Sequence, residues 1–178
     1  HPSYIQALAQ SIRPLQEDEH LVLSYHGLPV RQLPCTDSSE YRCTGGAEHC
    51  PHVHTEYPDC YRAHCYETSR LLAQQLGLTK DQWSIAFQSR LGKIPWIEPY
   101  ADQHIESLAE QGIRKIQVSC PAFATDCLET LEEINLELRE TFVEAGGEEF
   151  HYSPCLNASD FWTEALVEII NELKEPLS

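Results

Sequence analysis

The sequence predicts an α/β fold: a doubly wound, parallel four-stranded sheet flanked by helices, with an irregular cysteine-rich insert. Three observations predict it. Short apolar runs alternate four times with stretches of helical periodicity. Glycines close the helical stretches, at Gly77, Gly112 and Gly146-Gly147. Finally, His26, the loop from Gln88 to Tyr100, and the stretch from Cys120 to Glu129 each follow directly on an apolar run. In a parallel sheet that placement gathers them at the carboxyl edge of the strands, where ligands bind.

The elements follow in order. Tyr4 to Arg13 carries Ile5, Leu8 and Ile12 at helical spacing and is stopped by Pro14. Leu21 to Tyr25 is a buried strand that delivers His26-Gly27-Leu28-Pro29 into a loop. Residues 30–60 form the insert, without periodicity and rich in Cys, His, Gly, Pro and Thr. So long an irregular stretch inside a compact domain is functional or is held by a ligand. A helix from Tyr61 to Leu76 and a strand from Trp83 to Phe87 come next. After the Gln88–Tyr100 loop, Asp102 to Gln111 reads as a helix and Ile113 to Ser119 as the third strand. Pro121 then turns the chain into a helix capped by Thr125 or Asp126, with Leu128, Leu131, Ile134 and Leu138 on one face, running to Ala145. Glu149 to Tyr152 is the fourth strand, and Asp160 to Leu173 the terminal helix, capped by Ser159 or Asp160.

At 178 residues the chain reads as one domain, 1–178, with its own core. Its formal net charge of −16 argues against nucleic acid as a partner and is compatible with attracting cations, although an acidic surface also serves solubility. No apolar run reaches the length of a membrane span, and no signal-peptide pattern opens the chain, so a cytoplasmic protein is expected. The chain starts at His1 and holds no Met, which reads as a piece cut from a longer protein.

Four groups of residues can carry chemistry. Neutral His26 can take a proton or ligate a metal near pH 7. Glu129, Glu133 and Glu137 recur every four residues and would stack on a regular helix into a carboxylate ridge. A solvated helix face has the same pattern. Arg90, Trp96 and Tyr100 form a basic and aromatic loop suited to a planar ligand bearing carboxylates, or to packing the loop down. Five of the eight cysteines fall between Cys35 and Cys65, without a CxxC pair. Cys35, Cys43, Cys50 and Cys60 are the candidate ligands of an iron–sulfur cluster, with zinc or unliganded thiols as alternatives. Cys65 falls inside a predicted helix and is left out of the set.

Several stretches resemble ferrochelatase: Ser24-Tyr25-His26-Gly27-Leu28-Pro29; Phe87-Gln88-Ser89-Arg90-Leu91-Gly92 with Pro95-Trp96; Cys120-Pro121-Ala122-Phe123 with Asp126 to Ile134; Glu144-Ala145-Gly146-Gly147; and Pro154-Cys155-Leu156-Asn157. The resemblance covers nearly the whole chain apart from the insert, and it is to the carboxyl-terminal half of a bacterial enzyme. It implies insertion of ferrous iron into protoporphyrin IX to form protoheme, in a fold of two similar domains with the porphyrin between them. It also implies that His26 is the active-site histidine and Glu129 its partner. Glu133 and Glu137 would be a proton or metal path, and Phe123 and Trp96 would line the porphyrin pocket. In some members a [2Fe–2S] cluster is ligated by cysteines of an internal segment, which Cys35 to Cys60 resembles. Cys127 stands where animal members carry a histidine. The amino-terminal domain is then an expected partner, while peripheral membrane contact and a homo-oligomer stay open. A self-contained tetrapyrrole chelatase acting as a homodimer and a cluster-bearing redox sensor are the competing readings; presence of both His26 and Glu129 argues against the second.

Overall fold

The computed structural model describes residues 1–33 and 59–174. Four parallel strands form one sheet in the order β2-β1-β3-β4. They are β1 Glu19–His26, β2 Trp83–Gln88, β3 Lys115–Ser119 and β4 Glu149–Tyr152. β1 is central, and every residue of it but His26 is buried, as its apolar run demands of a strand covered on both faces. Alternation along the strands sorts the core into two layers. Leu21, Leu23, Tyr25, Ile85 and Phe87 pack beneath α1 (Pro2–Ser11), α2 (Tyr61–Gln75) and α6 (Asp160–Lys174). Val22, Ala86, Ile116, Val118, Phe150 and Tyr152 pack beneath α3 (Ala101–Glu110), α5 (Arg139–Glu144) and the helical segment before it.

The chain steps from β1 to β2, then crosses back over β1 to reach β3. The strand order therefore reverses between β1 and β3, and the crevice beyond their carboxyl ends is where such a sheet binds ligands. His26 ends β1, and Cys120 follows β3, at this point.

Element boundaries differ from expectation where caps decide them. α1 begins at Pro2 rather than Tyr4, because Pro at the first turn needs no N–H partner and the His1 Nδ1 accepts from the Ser3 N–H at 3.2 Å. The helix predicted from Asp126 to Ala145 is not one regular helix. It divides into α4 (Leu128–Leu131), a π-helical segment (Glu133–Leu138) and α5. The Glu132 carbonyl accepts from both Leu136 N–H at 3.1 Å and Glu137 N–H at 3.0 Å, so the turn is widened by one residue. The cap is Cys127 rather than Thr125 or Asp126. Asp126 is committed elsewhere: its carboxylate accepts from Tyr152 Oη at 2.6 Å, Asn157 Nδ2 at 2.7 Å and the Cys155 N–H at 3.2 Å. Ser159, predicted as a cap for α6, has its Oγ buried with no hydrogen-bond partner among the described residues. No helix of the described residues is long and apolar enough to cross a membrane.

Candidate active site

His26 is the pivot of the carboxyl edge. Its backbone is tied from two sides: Tyr61 Oη donates to the His26 carbonyl at 2.8 Å, and the next N–H, of Gly27, donates to the Gln88 carbonyl at 2.8 Å. Gly27 has no room for a side chain. A Cβ there would lie 2.8 Å from the Gln88 carbonyl oxygen and 3.3 Å from the Trp96 ring. The His26 Nδ1 lies 2.6 Å from the Gly27 carbonyl oxygen, a contact only an N–H can make. In the neutral ring Nε2 therefore carries the lone pair, and among the described residues no hydrogen bond occupies it, so it can accept a proton or bind a metal. The Phe123 ring stands 6.4 Å from the imidazole, centroid to centroid.

His26 and Glu129 line one open cleft of about 560 Å³, with Ser89, Arg90, Glu133 and Glu137. The hydrogen bond from the Cys127 thiol, the helix N–H of Glu129 itself and the nearby His26 hold the Glu129 carboxyl below its usual range, against a smaller opposing effect of burial. Glu129 is thus an anion at neutral pH, across the cleft from a histidine whose Nε2 carries the ring's lone pair.

Glu133 is clamped. Oε1 accepts from the Ser89 N–H at 2.5 Å, and Oε2 accepts from Ser89 Oγ at 2.5 Å and from Gln88 Nε2 at 3.3 Å. The clamp is built on β2: Gln88 is buried, takes a hydrogen bond from Ser24 Oγ at 2.8 Å, and donates from Nε2 to the Glu129 carbonyl at 2.8 Å. Ser89 holds its two donors in place with φ at 64°, a conformation that a residue with a Cβ adopts at a cost on the order of 1 kcal/mol. Glu137 is exposed and lines both this cleft and a neighbouring cavity of about 230 Å³. The three carboxylates share one wall, but they are not the even stack of a regular helix. The π turn and the clamp give each a different setting.

The loop residues separate. Trp96 pairs with Pro29 across an antiparallel bridge, its Nε1 donates to the Leu91 carbonyl at 3.0 Å, and the flanking Pro95 and Ile97 bond to Val30 and Leu28. It fastens the Gln88–Tyr100 loop to the segment after His26. The Arg90 guanidinium is paired with Asp102 at 2.6 Å and lies 4.3 Å over the Tyr100 ring. Of the aromatic set, Phe123 is the one set against His26. The apolar rim of the cleft comes instead from Leu91 and Leu128, 80% and 69% exposed. Sequence reading placed Leu128 on the apolar face of the predicted helix rather than at a site, and it singled out neither Leu91 nor Gln88 and Ser89. Their signal was position alone: two polar residues directly after a strand, and leucines beside charged ones.

Of the predicted cluster ligands, Cys35, Cys43 and Cys50 lie outside the described residues. Cys60 is buried in the core at the foot of α2, one residue before the tyrosine that holds His26. Among the described residues no group of three or more His, Cys, Asp or Glu is arranged to hold a metal ion.

A ferrochelatase family model matches residues 1–174. The chain is 46% identical over 179 residues to a ferrochelatase of Stutzerimonas stutzeri, covering 99% of this chain and 52% of that one. It is 48% identical to one of Pseudomonas fluorescens (93% and 49% covered) and 45% identical to one of Legionella pneumophila (96% and 51%). It thus spans about half the length of the curated relatives it matches. Among solved structures, a cobalamin (vitamin B12) biosynthesis CbiX protein from Marinobacter aquaeolei shares the fold at 15% identity, with a TM-score of 0.50 over 88% of this chain and 98% of that one. The match runs from the first helix through the His26 loop and the carboxylate wall to the last helix, and the chain belongs to the ferrochelatase family.

Proposed function

We propose that this chain is the carboxyl-terminal, chelatase-like half of a two-domain enzyme that inserts ferrous iron into protoporphyrin IX. Its substrates are then the porphyrin and the iron, and its closest partner is the amino-terminal half, which completes the pocket over the open cleft. One observation carries the reading: an ionised Glu129 lines the same cleft as a histidine whose Nε2 carries the ring's lone pair, unoccupied among the described residues. Metal insertion requires two pyrrole N–H protons to leave as the cation enters. His26 Nε2 takes a proton from the ring, and the Glu129 carboxylate faces the cation in the same cleft. Glu133 and Glu137 continue the acidic wall away from His26, and protons or hydrated cations pass along it. Leu91 and Leu128 offer apolar surface to the macrocycle, with the Phe123 ring beside the histidine.

The test is direct. In the full-length protein, His26→Ala and Glu129→Gln should each lower the rate of metalloporphyrin formation, followed by visible absorbance, by roughly 10²-fold or more. Neither should shift thermal unfolding by more than a few degrees, since both side chains face the cleft. Wild-type-like rates in either variant would overturn the assignment.

A [2Fe–2S] cluster on Cys35, Cys43, Cys50 and Cys60, with zinc as the alternative, belongs to the proposal only as a resident group of the insert. The described residues do not assemble its donor set: Cys60 is its one described member, and it lies among apolar side chains. No step of the reaction is routed through it. Visible absorption with iron, sulfide and zinc analysis on anaerobically purified protein decides between cluster, zinc and free thiols.

A further inference from the structure

Two cavities meet at the acidic wall. The cleft with His26 and Glu129 and the smaller cavity of about 230 Å³ share Ser89, Arg90, Glu133 and Glu137. Asp102 lines the smaller one only. Among the described residues lining the two cavities, Arg90 is the one guanidinium or ammonium group, and it stands at their junction beside two glutamates. A guanidinium binds carboxylates in a bidentate fork, so an unrestrained Arg90 would compete with any cation for Glu133 and Glu137. It is restrained twice. Asp102 Oδ2 accepts from an Arg90 terminal nitrogen at 2.6 Å, and the Arg90 carbon lies 4.3 Å over the Tyr100 ring. The backbone that carries the ring is itself anchored: Tyr100 bridges to Phe87 on β2, and the Phe87 N–H donates to the Pro99 carbonyl at 2.8 Å. Glu133, meanwhile, takes its hydrogen bonds from the neutral donors of Ser89 and Gln88.

We propose that Asp102 is a positioning residue for the metal substrate: it latches Arg90 onto Tyr100, away from the carboxylate wall, and so leaves Glu133 and Glu137 to a divalent cation. This rests on the chelatase reading and adds a residue outside the catalytic wall. Asp102 itself lies outside the His26 cleft, so removing its charge acts on the metal's route through the released Arg90 alone.

The test is a comparison of Asp102→Asn with Arg90→Gln/Asp102→Asn in the full-length protein. At low ionic strength, Asp102→Asn should raise the KM for ferrous iron roughly 3- to 5-fold, the scale of one partly exposed charge interaction. The porphyrin KM and kcat should stay within about twofold. The rise should shrink as salt approaches 0.3 M, where the screening length falls well below about 10 Å. Adding Arg90→Gln should return the metal KM toward that of the unsubstituted protein. An unchanged metal KM in Asp102→Asn overturns the proposal. So does a rise that the second substitution fails to reverse, or a fall in kcat with both KM values rising, which marks a loosened loop. If the unsubstituted protein inserts no metal, the chelatase reading itself fails. Calorimetric binding of zinc alone, weakened by Asp102→Asn and restored in the double variant, then decides the latch independently.

Discussion

Gly27→Ala is the sharpest probe of how the fold positions His26. The new Cβ would sit 2.8 Å from the Gln88 carbonyl oxygen, 3.3 Å from the Trp96 ring and 3.8 Å from the Phe87 Cβ. The first contact is with backbone at the end of a core strand, so it cannot be relieved by a side-chain rotation. The chain must part by several tenths of an ångström where the Gly27 N–H now meets that same oxygen at 2.8 Å. Overpacking of this kind costs about 1–3 kcal/mol, which in a domain of this size lowers Tm by roughly 3–10 °C. The larger effect falls on function. The displaced residues are His26's neighbour and Gln88, whose amide fixes both the Glu129 carbonyl and the Glu133 carboxylate. A misplacement approaching 1 Å at a reacting group costs on the order of 10²-fold in rate. Thermal unfolding and the initial rate of porphyrin metallation, measured on the same preparation, check both parts. Gly77→Ala is the control: Gly77 has φ at 70° and open space around it, far from the cleft, so it should lose stability through backbone strain and keep its activity. A Gly27→Ala protein with unchanged Tm and full rate would refute the packing argument; equal activity losses in both variants would refute the claim that position, rather than stability, matters.

Two further outcomes are expected. Ser89→Ala removes the hydroxyl that holds Glu133 Oε2 and should cost about 1.5 kcal/mol, the low end for a hydrogen bond to a charged group because the carboxylate is half-exposed. If the clamp acts through Glu133, the activity losses of Ser89→Ala and Glu133→Gln will not add in the double variant; additive losses would place the serine's effect elsewhere. At the opposite end of the sheet, burial, aided by the nearby His104, pushes the His20 imidazole down to about 4, and its Nε2 and that of His104 share the Ser84 hydroxyl at 2.8 and 2.7 Å. Because the unfolded chain binds this proton more readily, the stabilisation is complete above pH 6.5 and is lost as pH falls toward 4, by about 3 kcal/mol. Burial lowers His104 in the same direction. Tm should therefore fall more steeply between pH 6.5 and 4.5 in the natural protein than in His20→Gln, and identical slopes would refute it.

Much of this was legible in the chain itself. The α/β class follows from apolar runs alternating with helical periodicity, because a strand covered on both faces carries an apolar run, here Leu21-Val22-Leu23, and β1 is buried from Glu19 to Tyr25. The gathering of His26, the Gln88 loop and the Cys120–Glu129 stretch at one edge follows from parallel connectivity, which places every strand's carboxyl end on the same side. Glu129 and His26 were legible for that reason, and they do line one cleft. Spacing could not show the π turn after Leu131, since a widened turn is set by where packing lets one carbonyl take two N–H groups, here that of Glu132. Nor could it show the cap. Asp126 is the better capping residue by type, but Tyr152, Cys155 and Asn157, distant in sequence, claim its carboxylate and leave the role to Cys127. The same holds for Arg90, whose pairing with Asp102 and stacking over Tyr100 no spacing could show. Local pattern thus determined the elements and the edge they share. Partner choice among polar side chains was decided only by tertiary structure, because a hydrogen bond depends on a few tenths of an ångström between residues that the sequence keeps far apart.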